Sequence, residues 1–275
     1  MKRVQVIRHQ SGFSLVELIL VIVLVGIIGG VLSMQLAPAI QSYLLVSQRA
    51  NLTNQADSAL RRMATDVRSA VPNSLRLNTD RCLDLVPTSD GGRYRTAPDT
   101  VNVAPPSAWI NEAESGTMFD VLSTLQRTPV QGDAIVIANR GPDDVYNEVN
   151  TALVTQASAS RIQLDRPIQV TPGYDGARFL VVPNGQRIVT YLCTPGPDGS
   201  GELVRFARND FKAGAMCTRP AEAAVVASRV ADCSFQVHAN QGGTQDSGYV
   251  QLQLTLSAKG ESVPLTVGTY VDNLP

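Results

Sequence analysis

Apolar residues are spread along this chain in two regimes. Residues 18–48 contain no Asp, Glu, Lys or Arg, and the centre of the run reads Leu18-Ile19-Leu20-Val21-Ile22-Val23-Leu24-Val25-Gly26-Ile27-Ile28-Gly29-Gly30-Val31-Leu32. About 20 apolar residues in helical form cross the hydrocarbon core of a bilayer. Residues 13–36 meet that length with one exception, Glu17. Further on the apolar positions thin to a helical stripe: Leu52, Ala56, Ala59, Leu60, Met63, Val67 and Ala70. Arg61, Arg62 and Arg68 fall mostly off that stripe, as a solvated face requires. Pro72 ends the pattern and pushes Val71 out of the α region. The spacing therefore predicts one helix over residues 13–70, about 87 Å long. Gly26, Gly29, Gly30 and Pro38 are its weak points. Gly26 and Gly30 form a G-x-x-x-G pair that permits close helix approach, although membrane helices are commonly rich in glycine. Asn51-Leu52-Thr53 has the form of a glycosylation sequon, and inside a helix it is read as chance.

Beyond Pro72 the period changes. Tyr249-Val250-Gln251-Leu252-Gln253-Leu254-Thr255-Leu256 alternates strictly, which predicts a half-buried antiparallel strand. Weaker strand patterns cover 82–86, 133–138, 161–164, 178–182, 188–193, 202–207, 233–238 and 263–271. Residues 195–201, Pro-Gly-Pro-Asp-Gly-Ser-Gly, read as a hairpin connection. Residues 87–130 are interrupted by Pro87, Pro98, Pro105, Pro106 and Pro129. They read as an irregular insertion in which only 117–125 looks helical, and such loops often carry surface recognition. A long helix followed by antiparallel strands is an α+β arrangement, with the 52–70 stripe covering one sheet face.

Composition narrows the function classes. At 275 residues, the chain can hold one large domain or two small ones. A hydrophobic content of 44% with 17% charged residues excludes disordered and polytopic classes. The formal charge of −1 gives no general attraction to nucleic acid. Aromatics at 5% argue against a single-strand stacking platform. His9 and His238 are the only histidines. No phosphate-binding loop, nucleophile elbow, zinc-protease or dinucleotide motif occurs, so no enzyme activity and no cofactor is expected. Asp143-Asp144 and Asp198 read as solvated turns rather than calcium ligands, since neither has EF-hand spacing. Arg93, Tyr94 and Arg95 read as a surface turn, with contact to DNA a weaker option. Cys82, Cys193, Cys217 and Cys233 all follow the apolar run, and an even number suggests two disulfides. Three connectivities are open; the favoured one is Cys193–Cys217 with Cys82–Cys233. Zinc is the alternative, but it lacks a C-x-x-C pair.

Lys2, Arg3, Arg8 and His9 precede the apolar run without an acidic residue, so that end stays cytoplasmic and the remainder crosses. Ala37-Pro38-Ala39 imitates a secretory cleavage site, but the run exceeds the 7–15 residues of such signals. A plain anchor leaves unexplained both Glu17, an acid at membrane depth, and the block Gly12-Phe13-Ser14-Leu15-Val16-Glu17. That block resembles the class III signal of type IV pilins and type II secretion pseudopilins. The resemblance implies a prepilin peptidase cut after Gly12, leaving Phe13 as an N-methylated amino terminus. It also implies a pilin-like fold, with the long transmembrane helix packed on an antiparallel sheet domain. Residues 1–12 would be the leader, 13–36 the transmembrane half of the helix, 37–71 its extracytoplasmic half and 72–275 the periplasmic domain. Loss of the leader takes the formal charge from −1 to −4. Glu17 in hydrocarbon needs a cation or a proton. The Phe13 amine, its own or a neighbouring subunit's, can supply the cation and set the register of assembly.

The length and the 87–130 insertion favour a minor subunit over a major one. Several later blocks resemble minor pilins of mannose-sensitive haemagglutinin (MSHA) biogenesis. They are Ala59-Leu60-Arg61-Arg62-Met63-Ala64 with Asp66-Val67-Arg68, Val71-Pro72-Asn73-Ser74, residues 82–88 with 91–95, Gly260-Glu261-Ser262 and residues 271–275. This implies initiating, assembling or capping a type IV pilus in a Gram-negative inner membrane. The implied partners are prepilin peptidase, other major and minor pilins and the assembly platform. A J-like minor pseudopilin of type II secretion is the alternative, and a membrane-anchored periplasmic enzyme or binding domain is a third.

Overall fold

The computed structural model describes residues 12–271 except 102–103, 174–175, 213, 215 and 239–248. The basic leader residues Lys2, Arg3, Arg8 and His9 and the last four residues therefore lie outside the described chain. Helix α1 spans Leu15–Arg68 and runs through Pro38. It contributes to two compact units, residues 1–50 and 51–275. Among the described residues of the first unit the helix is the whole of the regular structure, and its large apolar side chains are exposed from Leu15 to Val46.

In the second unit the helix turns one face inward. Leu52, Ala56, Ala59, Leu60, Met63 and Val67 are buried, while Arg61, Arg62 and Arg68 are exposed. These are the positions that the spacing assigned. The chain leaves the helix where Ala70 N–H reaches only back to the Val67 carbonyl and Val71 N–H pairs with Val86 instead.

The strands follow in order: β1 (Arg76–Thr79), β2 (Cys82–Leu85), β3 (Asp90–Arg93), β4 (Gly116–Asp120) and β5 (Ala134–Ile137). After the short helix α2 (Pro142–Tyr146) come β6 (Thr151–Ala157), β7 (Arg161–Ile168), β8 (Arg178–Val182) and β9 (Ile188–Thr194). The chain ends with β10 (Gly201–Arg208), β11 (Ala224–His238), β12 (Tyr249–Ala258) and β13 (Glu261–Tyr270). They form two antiparallel sheets, one of seven strands in the order β1-β2-β9-β10-β11-β12-β13 and one of six in the order β3-β8-β5-β6-β7-β4. The architecture is α+β and pilin-like in its long amino-terminal helix and antiparallel sheets.

The seven-stranded sheet buries Leu252, Leu254 and Leu256 of β12, and Phe235 of β11, against the helix stripe. Asp66 fixes the helix on this face. Its carboxylate accepts from the Tyr191 hydroxyl at 2.8 Å and from Arg205 Nε at 2.7 Å. The sheet also curls, because Phe235 N–H of β11 donates to the Asp80 carbonyl in the β1–β2 turn at 2.7 Å.

The six-stranded sheet closes on itself. Beyond β3 and β4, Tyr94 and Val121 form an antiparallel bridge, Arg95 N–H donates to Asp120 O and Leu122 N–H donates to Arg93 O. The result is a small barrel whose interior is filled by side chains. At its centre Phe119 lies 5.8 Å from the Tyr94 ring and 5.2 Å from Phe179. The whole barrel is inserted between β2 and β9, which are direct neighbours with Leu85 opposite Val189.

Two expectations need correction. Residues 117–125 do not begin a helix, because Gly116–Asp120 is strand β4 and its alternation places Phe119 in the barrel core. The irregular insertion at 87–130 thus supplies both strands that close the barrel. The favoured disulfides, Cys193–Cys217 and Cys82–Cys233, are also wrong: the bonds are Cys82–Cys217 and Cys193–Cys233. Strand alternation is the reason. Cys82 stands opposite Leu192, so the next residue, Cys193, faces the other side of the sheet. Cys193 and Cys233 share the helix-side core, whereas Cys82 and Cys217 pack on the outer face.

The Asp66 anchor yields a quantitative expectation. Asp66→Ala leaves a buried phenol and a guanidinium without their acceptor, which costs about 2–4 kcal/mol. Thermal melts of the detergent-solubilised chain should fall by roughly 5–12 °C; an unchanged midpoint would show the anchor to be dispensable. Burial, with the adjacent Asp66 carboxylate, pushes the Tyr191 phenol well above its ordinary value. Its contribution is therefore complete below the ordinary phenol pKa and is lost only as alkaline pH ionises it. The disulfides give a second expectation. Cys193 and Cys233 are both buried, whereas Cys217 is partly exposed. Graded reduction followed by alkylation and peptide mapping should label Cys82 and Cys217 first.

Candidate functional site

The candidate site is the segment Gly12–Glu17, where the chain enters α1. Gly12, Phe13 and Ser14 precede the first helical residue and are exposed, Phe13 at 81%. An exposed, non-helical peptide bond is the form a protease accepts, and the bond after Gly12 has it. Nothing lies within 4 Å of the position a Gly12 Cβ would occupy.

Ser14 is the N-cap. Its Oγ accepts from Glu17 N–H at 3.2 Å and its carbonyl accepts from Leu18 N–H at 3.2 Å. Ser14 and Glu17 have the spacing of a capping box, and Phe13 and Leu18 that of a hydrophobic staple. Glu17 thus occupies the first turn, where a carboxylate also meets the positive end of the helix dipole. Sequence reasoning reached Glu17 through its cost in hydrocarbon and overlooked Ser14, although S-x-x-E before an apolar run is a recognisable signal. The cap stops the helix short of Phe13, so the residue that would become the amino terminus stays outside it.

Downstream, nothing lies within 4 Å of a Cβ built on Gly26, Gly29 or Gly30. The chain's own packing therefore does not require glycine at these positions. Ser33, the first hydroxyl of the charge-free run, donates to the Gly29 carbonyl at 2.8 Å and so is satisfied within the helix. The exposed apolar surface from Leu15 to Val46 extends about 48 Å at helical rise. The hydrocarbon core of a bilayer, about 30 Å thick, is shorter than that.

Arg93, Tyr94 and Arg95 are not a surface cluster: Tyr94 is buried in the barrel core, and Arg95 reaches Asp120 at 3.4 Å and Asp99 at 3.5 Å. Asp144 accepts from the Arg140 N–H at 3.1 Å. Asp198 sits in a tight turn with φ 53°. Among the described residues no group of three or more His, Cys, Asp or Glu could hold a metal, and the four cysteines are all disulfide-bonded. His238 stacks on Tyr249 with centroids 6.0 Å apart.

One charged network escaped the sequence reading. Asp84 is fully buried and accepts from Arg76 and Asn78 at 2.8 Å, Arg208 at 2.9 Å and Thr190 at 2.6 Å. The Arg76 guanidinium lies 3.8 Å over the Tyr146 ring, and the Tyr146 hydroxyl donates to the Ser74 carbonyl at 3.0 Å. Burial raises the Tyr146 phenol far above its ordinary value, Asp84 adds to this, and the two guanidiniums oppose it. The Asp84 carboxylate is satisfied by four side chains, so the network joins the barrel's α2 to the sheet rather than presenting a reactive carboxylate. At the same seam, burial would raise Glu148, but hydrogen bonds from Lys212 and Arg166 outweigh it and hold the carboxyl below its ordinary range.

Comparison with protein families identifies the prokaryotic N-terminal methylation motif over residues 7–33. The match spans the signal and the first part of α1 and none of the second unit. No curated protein and no solved structure shows significant similarity to the chain. The motif supports a type IV pilin-like protein, a family whose role is structural rather than catalytic. It implies processing by prepilin peptidase and assembly with other pilins, and with the apolar helix it fits a membrane-anchored pilin.

The cap can be tested apart from processing. Ser14→Ala removes the acceptor for Glu17 N–H and costs about 1 kcal/mol of helix start. Amide exchange at Glu17 in micelles should quicken roughly fivefold, while unchanged exchange would show that Ser14 does not hold the end.

Proposed function

We propose that the chain is a minor pilin that initiates, assembles or caps a type IV pilus of the MSHA type. The observation that carries this reading is the exposed apolar helix surface, about 48 Å long, which starts beside a cleavable glycine and a capped Glu17. Lipid covers about 30 Å of that surface, so the remainder, including Ile40, Tyr43 and Leu44, calls for neighbouring helices. A subunit that leaves the bilayer for a filament would have the whole of it covered by protein.

Prepilin peptidase cuts after Gly12 and the new Phe13 amine is methylated. Residues 1–12 are the leader, 13–36 the transmembrane part, 37–71 the extracytoplasmic part of the helix and 72–275 the periplasmic domain. The amino terminus lies on the cytoplasmic side of the inner membrane. Glu17 pairs with the Phe13 amine of a neighbouring subunit and sets its axial register. A barrel inserted between β2 and β9 makes a bulky subunit, which suits an end position better than every step of a shaft. The later blocks at 59–64 with 66–68, 71–74, 82–88 with 91–95, and 260–262 with 271–275 favour the MSHA minor pilins over the type II secretion pseudopilins.

Intact mass spectrometry from native membrane, before and after reduction, is the first test. The expected species starts at N-methylated Phe13 and gains four hydrogens on reduction. An uncleaved chain would support an anchored periplasmic domain, and a start at Ile40 would mean a secretory signal. Glu17→Ala should leave processing intact and abolish incorporation into filaments; normal incorporation would overturn its role. Deletion of the gene should remove surface pili, whereas loss of exoprotein release with intact pili would assign the chain to secretion.

A further inference from the structure

Between β10 and β11 the chain crosses the outer face of the seven-stranded sheet as an irregular strap, residues 209–223. Register puts Cys82, Leu192 and Val204 side by side across β2, β9 and β10, and Phe206 follows two residues along the same face. All four are buried, Leu192 at 6% exposure, Val204 at 2% and Phe206 at 4%. The cluster they form is completed by Ala223 and Cys217, both of which belong to the strap.

Little else holds the strap in place. Phe211 and Ala223 are buried at its two ends. Among the described residues between them none is buried and none pairs with a strand; Cys217 and Pro220 are half-buried and the others exposed. Its polar ties are Lys212 to Glu148, Arg219 to Glu202, and Arg208 Nη1 donating to the Gly214 carbonyl at 2.6 Å. Exposed ion pairs of this kind add little. The Cys82–Cys217 bond is therefore what keeps a cover of small side chains over three large apolar ones.

Reduction would free different things at the two disulfides. Cys193 and Cys233 sit on strands within the helix-side core, so their thiols would stay together at high effective concentration and re-form the bond. Cys217 would depart with the strap, and its bond would lose that advantage. Cys217 is half-buried and Cys82 fully buried, so attack falls on Cys217 Sγ with Cys82 as the leaving group. Asn78 Nδ2, 3.8 Å from Cys82 Sγ, is placed to donate to the departing thiolate.

We propose that residues 209–223 are a redox-operated strap: a dithiol opens the Cys82–Cys217 bond, the strap lifts, and the apolar face of Leu192, Val204 and Phe206 is uncovered while the helix-side core stays closed. One thiolate of the dithiol attacks Cys217 Sγ, forming a mixed disulfide and expelling the Cys82 thiolate. The second thiolate attacks the dithiol's own sulfur in that mixed disulfide and expels Cys217. Two electrons pass to the cysteine pair, the dithiol's two protons end on Cys82 and Cys217, and the dithiol becomes a disulfide. The bond thus converts redox state into the polarity of one face. None of Gly12–Glu17 takes part, so failure of the strap and failure of the filament reading are separate results.

The test uses the full chain in mild detergent with dithiothreitol as the dithiol. In buffers of stepped reduced-to-oxidised dithiothreitol, Cys82–Cys217 should be half reduced at a ratio at least about tenfold lower than Cys193–Cys233. Hydroxyl-radical footprinting of the singly reduced chain, after anaerobic removal of the reagent, should raise labelling of Leu192 and Phe206 several-fold and leave Phe235 and Leu252 protected. A double variant, Cys82→Ala with Cys217→Ala, should give the same pattern with no thiol at the strap. Continued protection of Leu192 and Phe206 in both samples would overturn the proposal. So would reduction of the two bonds at one ratio, or labelling of Phe235 and Leu252 along with Phe206 in both samples, since the fold and not a strap would then have opened.

Discussion

Helix α1 carries two surfaces that answer to different surroundings, and the remaining structure is arranged around that division. From Leu15 to Val46 it is apolar on every side and makes no use of its glycines within its own chain. From Leu52 onward only one face is apolar, and it is covered by β12, β11 and their neighbours. An all-round apolar helix cannot be stabilised by the packing of one protomer, since burial against a sheet hides only one side. The first surface fits completion by lipid or by other helices, whereas the second is completed by the chain itself. Asp66 belongs wholly to the second: it is the polar fixture that keeps the amphipathic part of the helix in one rotation on its sheet.

The inserted barrel raises a related question of docking. Its core of Tyr94, Phe119, Phe179 and aliphatic neighbours is separate from the helix-side core. Between them lies a seam in which Val71, Val86, Val136, Tyr146 and Phe211 meet. Apolar contacts of this kind tolerate sliding, and the buried Asp84 does not. A buried carboxylate adds little net stability even when paired. Any other docking, however, would separate Arg76 from the Tyr146 ring while it still had to neutralise Asp84. The network selects one arrangement of barrel on sheet by making the alternatives expensive.

Legibility followed the range of the interactions. The helix stripe and the alternation of β12 are properties of neighbouring residues, so spacing alone located Leu52 to Ala70 and Val250 to Leu256. The barrel was not legible, because its closure depends on Tyr94 meeting Val121 and on strands of four or five residues. β3 reads Asp90-Gly91-Gly92-Arg93, which resembles a turn. A Gly92 Cβ would come within 2.4 Å of Ser123 Oγ, so glycine there serves close strand approach. Disulfide partners failed for a similar reason. The faces of Cys82 and Cys193 depend on which strands pair, and the separation of two cysteines along the chain carries no such information. At the candidate site Glu17 stands out through its cost in hydrocarbon and Phe13 through the resemblance of the signal, whereas Ser14 acts through one backbone hydrogen bond.

The two disulfides acquire a meaning from the insertion. Cys82 precedes the barrel and Cys217 follows it, with 135 residues between them, and they close the outer face. Cys193 and Cys233, 40 residues apart, close the helix side without enclosing the barrel. On a chain-entropy account, the longer loop restrains the unfolded chain more, by about 5 kcal/mol against about 4 for the shorter. The larger restraint therefore falls where the chain departs from the sheet for some hundred residues and must find it again. With that point tied, β2 stays near the connection between β10 and β11. A module inserted between adjacent strands is in this way held at its ends by the disulfide and at its seam by the Asp84 network, so the helix-side core does not depend on the barrel's own packing.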